Sequence, residues 1–228
     1  SSLKNLVSNS GVVAADVAGV GTARRDVAAV GYGDDLAMFA YGNTGSKTNL
    51  KNLVTNQGVV GANVTGVGTA RGDLAASRYG VGLGIFGYGN TGSKVSMTNL
   101  VTNVGVIGTD VSGVGTARQS LAACTFGGDK AIFGFGKDGS NETSITNLVS
   151  NVGVVAADTT GVGTAREKLG ACSFGGDKGI FAFGVDNGGA GRVSTSNLVS
   201  NSGVVASNTT GVGSATNRLG AAGFSFSA

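Results

Sequence analysis

The feature that most limits what this chain can fold into is an internal repeat. Asn-Leu-Val begins at Asn5, Asn52, Asn99, Asn147 and Asn197, giving steps of 47, 47, 48 and 50 residues. Gly-Val-Gly begins at Gly19, Gly66, Gly113, Gly161 and Gly211 with the same steps. Two independent landmarks thus keep one period, and a period of this length points to propellers, solenoids or helical arrays.

The content of one unit separates these. Leu121–Phe126 is a short run ending at Gly127-Gly128-Asp129-Lys130, which has strong turn chemistry. Ala131–Phe135 is rich in aromatic and branched residues and predicts a second strand. A loop of varying length follows, from Gly136 to Thr143, and Ile145–Val149 predicts a third strand. After the Asn151-Val152-Gly153 turn, Val154–Asp158 predicts a fourth, and Thr160–Arg166 links to the next unit. No run of ten or more residues carries a helical period. Four short antiparallel strands per unit predict a five-bladed β-propeller in a single domain, residues 1–228. A β-solenoid or another sandwich is the rival architecture.

Composition agrees with a folded chain. Its 43 glycines would suit a linker, but 41% of the residues are hydrophobic and recur in register, enough to offset the entropy of ordering. The small pairs Ala28-Ala29, Ala75-Ala76, Ala122-Ala123, Gly170-Ala171 and Gly220-Ala221 fall where first strands would crowd a central axis. Ile85-Phe86, Ile132-Phe133 and Ile180-Phe181, on the second strands, are expected to fill the space between neighbouring sheets.

The motifs Gly-Thr-Ala-Arg (115–118), Leu-Ala-Ala (121–123), Ile-Phe-Gly-Phe-Gly (132–136) and Thr-Asn-Leu-Val (146–149) together resemble a kelch-type propeller repeat. The unit departs from that pattern in having Gly-Phe-Gly or Gly-Tyr-Gly for the double glycine, and in lacking Trp. Gly-Val-Gly-Thr-Ala-Arg and Ile-Phe-Gly-Tyr-Gly are most similar to kelch-like repeats in tail and structural proteins of marine bacteriophages. The resemblance spans the whole chain. It implies a propeller fold and a virion or extracellular setting, and says little of activity, because propellers host many functions.

Candidate site residues follow the repeat. Arg24, Arg71, Arg118 and Arg166 share one register, with Thr216 at the fifth position. They suit either an anion-binding ring or structural pairing between blades with acceptors such as Asp16, Asp110 and Asp158, and the structural role is the expectation. Cys124 and Cys172 occupy equivalent positions on putative inner strands. They read as two small buried thiols unless their Cα atoms approach within about 7 Å, and without His they cannot form a zinc site by themselves. Asp34-Asp35, Asp129-Lys130 and Asp177-Lys178 fall at a hairpin turn, where turn propensity accounts for them. Asn63, Asn141 and Asn208 each begin an Asn-x-Thr sequon.

With no His base, metal-ligand cluster or nucleophile elbow, the chain is expected to be no enzyme and to bind no cofactor or metal. A net charge of +3 with scattered basic residues argues against nucleic acid, and no apolar run approaches the ~20 residues that span a bilayer. The start, Ser1-Ser2-Leu3-Lys4, does not resemble a signal peptide, as suits a processed chain or one exported within a particle. Two functions fit: a structural or assembly module of a virion, tail or extracellular appendage, or a lectin-like or receptor-binding module. The second would use the variable loops at 42–47, 89–95, 136–143 and 184–193, with a glycan as ligand.

The chain opens before a third strand, Leu3–Val7, and closes after a first strand, Leu219–Phe224, so the two ends are expected to form a composite fifth blade. Phe126 and Asn147 have 20 residues between them, whereas four follow Phe224 and four precede Asn5, so a second strand and its turn are missing. The expected partner is therefore a protein, or another copy of the chain, that adds a strand there.

Overall fold

The computed structural model describes residues 2–8, 10–186 and 191–223. The described chain is all β, with sixteen short strands in antiparallel sheets. Four units share one plan. The first holds β1 (Ala28–Tyr32), β2 (Leu36–Ala40) and β3 (Lys51–Val54), and the second β4 (Ala75–Tyr79), β5 (Leu83–Gly87) and β6 (Thr98–Val101). The third holds β7 (Ala122–Phe126), β8 (Lys130–Gly134) and β11 (Thr146–Val149), with a small hairpin, β9 (Lys137–Asp138) and β10 (Asn141–Glu142), in its variable loop. The fourth holds β12 (Gly170–Phe174), β13 (Lys178–Ala182) and β16 (Ser196–Val199), with β14 (Val185–Asp186) and β15 (Gly191–Arg192) as its loop hairpin. In every unit the second strand is central, as in β8, where Ile132 faces Cys124 on one side and Leu148 on the other.

The alternation of the first strands is legible in their burial. In β7, Ala122, Cys124 and Phe126 are buried while Ala123 and Thr125 are half-exposed. The second strands β5 and β8 are buried along both faces after their first residue, as suits strands enclosed by neighbouring sheets. Their Phe86 and Phe133, with Phe181 of β13, are fully buried. First strands lie side by side through the chain, β1 against β4, β4 against β7, and β7 against β12.

The expected fourth strand is not a continuous one. Val155 bridges Val149, and Thr159 bridges Thr146, so three steps along β11 are matched by four on the outer segment. That extra residue makes a bulge. Asn147 spans it, its Nδ2 donating to the Ala156 carbonyl at 3.0 Å and to Asp158 Oδ1 at 2.9 Å. The same pair of bridges recurs at Lys4–Val17, Lys51–Val64, Thr98–Val111 and Ser196–Thr209, each with its inner partner.

The Gly-Val-Gly landmark has a steric origin. A Cβ at Gly66 would overlap the Asn49 backbone, and Gly68, at φ +86°, lies against Asn99 and Asp110 side-chain atoms.

Leu219–Gly223 were expected to begin a first strand, but these residues carry no ladder; Phe224 lies outside the described residues. No described second strand is there to pair with them. They nonetheless sit beside β12, with Gly170 against Leu219 and Ala221, and Gly184 N–H donates to the Thr216 carbonyl at 3.0 Å. At the other end, the hairpin at 3–17 packs on the first unit, where Lys4 Nζ donates to the Gly58 carbonyl at 3.3 Å.

Candidate functional site

Three features of the surface and of the seams between units could carry function. The first is the repeated arginine. Arg71, Arg118 and Arg166 are fully buried. Arg118 reaches its position because Gly115 to Ser120 leads into β7 beside the exit of β8. Its Nε donates to the Phe135 carbonyl at 2.9 Å, Nη1 to the Thr116 carbonyl at 3.2 Å, and Nη2 to Asn147 Oδ1 at 2.7 Å. Its guanidinium lies 4.2 Å from the centroid of the Tyr88 ring, which belongs to the preceding unit. Arg71 over Tyr41 and Arg166 over Phe135 repeat the stacking at 4.3 and 4.2 Å. Each such ring also meets the next unit's phenylalanine edge-on: Tyr41 with Phe86, Tyr88 with Phe133 and Phe135 with Phe181, at 5.2–5.3 Å. One cation and two rings therefore close each of these three seams.

The acceptors named with these arginines stand one step removed. Asp110 comes within 3.9 Å of Arg71 but spends its carboxylate on Thr69 and Asn99. Asp158 does the same with Thr116 and Asn147. Burial works to raise both carboxyls, yet these hydrogen bonds and the nearby arginine bring them net below the usual carboxylate range. Asp16 accepts from Asn5 at 2.8 Å. Arg24 donates to Leu50 and Asn52. In the last complete unit Asn208 stands where Asp110 and Asp158 do, and burial pulls Arg166 down to about 10. Arg166 Nη2 turns to the Phe181 carbonyl at 3.4 Å, and the buried Asn197 Oδ1 is left without a hydrogen bond.

Sequence reasoning did not single out Asn52, Asn99, Asn147 and Asn197 as clamps, nor the aromatic rings as platforms. A usable signal existed: every Asn-Leu-Val asparagine is followed eleven residues later by Asp or Asn, at Asp16, Asn63, Asp110, Asp158 and Asn208.

The second feature is a polar recess. Asp26, Asp73, Ser120, Lys168 and Arg218, one from each register, line a cavity of about 250 Å³ together with Val27, Leu74, Leu121, Leu169 and Leu219. All five polar residues have φ of 54–57°. The last four each donate their backbone N–H to the carbonyl of the one before, from Asp73→Asp26 at 3.2 Å to Arg218→Lys168 at 2.9 Å. Burial raises the Asp73 carboxyl, as does repulsion from Asp26, against the pull of Lys47 and Arg218. A second cavity, of about 240 Å³, is likewise lined from all five registers, including Val30, Ser77, Cys124, Cys172 and Gly223. Both cysteines are free thiols there. Burial, then the neighbouring Cys172, pushes the Cys124 thiol up to about 12, and burial raises Cys172 as well.

The third feature is a cleft of about 180 Å³ on the first unit, lined by Val20, Arg24, Val27, Phe39, Asn52 and Val60 along with the segment Ser2–Lys4. Phe39 is 40% exposed, whereas its counterparts Phe86, Phe133 and Phe181 are fully buried; Val27 is 37% exposed against 6% for Leu74, Leu121 and Leu169.

The remaining sequence candidates are placed as follows. Asp129 and Asp177 are in the turns between first and second strands, where their carbonyls accept from Gly80 and Gly127 of the preceding unit, both at 2.7 Å. Of the sequon asparagines, Asn63 and Asn208 are engaged with Thr22 and Thr164 on the segments that lead into the first strands of their own units, while Asn141 is exposed in the β9–β10 hairpin. Among the described residues no group of three or more His, Cys, Asp or Glu side chains is placed to hold a metal ion. No protein-family model matches the chain, and a search of the curated proteins gives no match.

Proposed function

We propose that the five units close into a five-bladed β-propeller, with the two chain ends in the fifth blade, and that this ring is a non-enzymatic module of a larger assembly. The closed ring is supported by the two recesses, each lined from all five registers. An open stack would hold the first and fifth units apart, whereas Asp26 and Arg218 line one recess.

The observation that carries the assembly role is the exposed cleft around Phe39. It has the side chains of a seam between units, and the side that an aromatic ring covers elsewhere is open. The resemblance to kelch-like repeats of phage tail proteins supports a virion, tail or extracellular appendage as its place.

Sedimentation velocity and negative-stain microscopy of the purified chain, alone and with the other proteins of its source particle, test this role. Incorporation into particles or filaments is expected. A chain that stays monomeric and unincorporated, and that binds sugars on a glycan array through the loops at 42–47, 89–95, 136–143 or 184–193, would make it a lectin instead.

A further inference from the structure

We infer that the recess ringed by Asp26, Asp73, Ser120, Lys168 and Arg218 binds a small zwitterion, a free α-amino acid with an aliphatic side chain. The charges of the recess are sorted rather than mixed. Its backbone hydrogen bonds run from Asp26 through Asp73, Ser120 and Lys168 to Arg218, one unit after another. The two carboxylates are therefore neighbours, the two cations are neighbours, and Ser120 stands between the pairs. One side of the cavity is acidic and the other basic.

The two sides do not satisfy each other. Among the described residues no ion pair joins Asp26 or Asp73 to Lys168 or Arg218. Three of the four lean instead on a neighbour outside the wall: Asp26 Oδ2 on Arg25 at 3.4 Å, Asp73 Oδ2 on Lys47 at 3.5 Å, and Lys168 on Glu167. Among the described residues no hydrogen bond or ion pair engages Oδ1 of either aspartate, or the Arg218 guanidinium, which acts on Asp73 only through space. Acceptor atoms on one side and a guanidinium fork on the other thus line the same cavity unspent. Burial, then repulsion from Asp26, raises the Asp73 carboxyl, so a further cation beside the two aspartates is favoured.

The rest of the wall sets the body of the ligand. Val27, Leu74, Leu121, Leu169 and Leu219 line the recess with apolar side chains from one register. The volume of about 250 Å³ is below the ~300–1,000 Å³ of drug-sized pockets, and suits a molecule of amino-acid size. The N–H groups of Asp73, Ser120, Lys168 and Arg218 are spent along the backbone chain, so side chains must supply the recognition. An ion of one sign meets attraction on one side and repulsion on the other. A zwitterion is paired at both ends, which offsets its desolvation.

The probes are glycine, L-alanine, L-valine and L-leucine, each titrated calorimetrically to about 10 mM into the intact 228-residue chain. Saturable one-to-one binding is expected, tightening from glycine to leucine by about tenfold or more. Two analogues of leucine each lack one charge: 3-methylbutylamine the carboxylate, 4-methylpentanoate the ammonium. Each is expected to bind about tenfold or more weaker than leucine. Arg218→Gln is expected to erase the preference for leucine over 3-methylbutylamine, and Asp73→Asn the preference over 4-methylpentanoate. A merely structural role for either residue would leave those preferences in place. Should Asp73→Asn fail to fold, Arg218→Gln and the two analogues decide. No saturable binding of any of the four amino acids overturns the inference. So does binding of either analogue as tight as that of leucine, or an unchanged preference in Arg218→Gln.

Discussion

At the scale of single residues, the buried arginines show how one side chain can join two units. Arg118 satisfies three acceptors of its own unit and offers its flat face to Tyr88 of the one before. Replacing it by leucine keeps much of the volume but strands the Phe135 and Thr116 carbonyls and Asn147 Oδ1. Arg118→Leu is expected to destabilise the chain by about 3–5 kcal/mol, read as a fall in urea midpoint. Cys124 offers a second check. With its thiol pushed up to about 12 by burial, it is expected to resist a thiol reagent in the native state at pH 8, and to react fully in urea. Part of this level was legible beforehand: the shared register of the arginines could be read from the repeat, as could the equivalent placement of the two cysteines on first strands. What sequence could not supply was the π platform. Tyr41 and Arg71 stand 30 residues apart, in different units, and no local period relates them.

At the scale of elements, the first three strands of each unit follow from turn chemistry and from aromatic and branched runs. The fourth does not, although Val154–Asp158 has a strand's composition. The side chain of Asn147 enters the ladder and opens a bulge, a tertiary event invisible in the composition of the segment. The clamp has an acid limit. Asp110 and Asp158 titrate below the usual carboxylate range in the folded chain, so their contribution is present in full above the unfolded value of about 3.9 and is lost as pH falls through the folded values. Asp73, raised by burial, acts in the opposite sense and regains stability on protonation. Urea midpoints between pH 6 and pH 3 are expected to fall, and the fall to be shallower in Asp110→Asn/Asp158→Asn. An unchanged slope in that variant would remove these carboxylates from the account. The bulge also interrupts the outer edge, where Val12, Val59, Val106, Val154 and Val204 are 54–65% exposed, and a broken edge is a poor template for sheet growth.

At the scale of the whole molecule, the repeat period announced five units, but not how their ends meet, since closure depends on the summed rotation of every seam. Spin labels at positions 26 and 218 test it directly. In a ring that pair gives a distance comparable with a pair at 26 and 73, whereas an open stack separates it several-fold. Three seams are locked by a cation between two aromatics, while the cleft beside Phe39 presents only one half of such a lock. A series of joined units gives way at its weakest joint. Unfolding of this chain should therefore begin at the first and last units and travel inward, with β7 and β8 the last to exchange their amides. Whatever seats itself beside Phe39 would act as a staple on the lifetime of the fold, slowing its opening without touching any of the other joints.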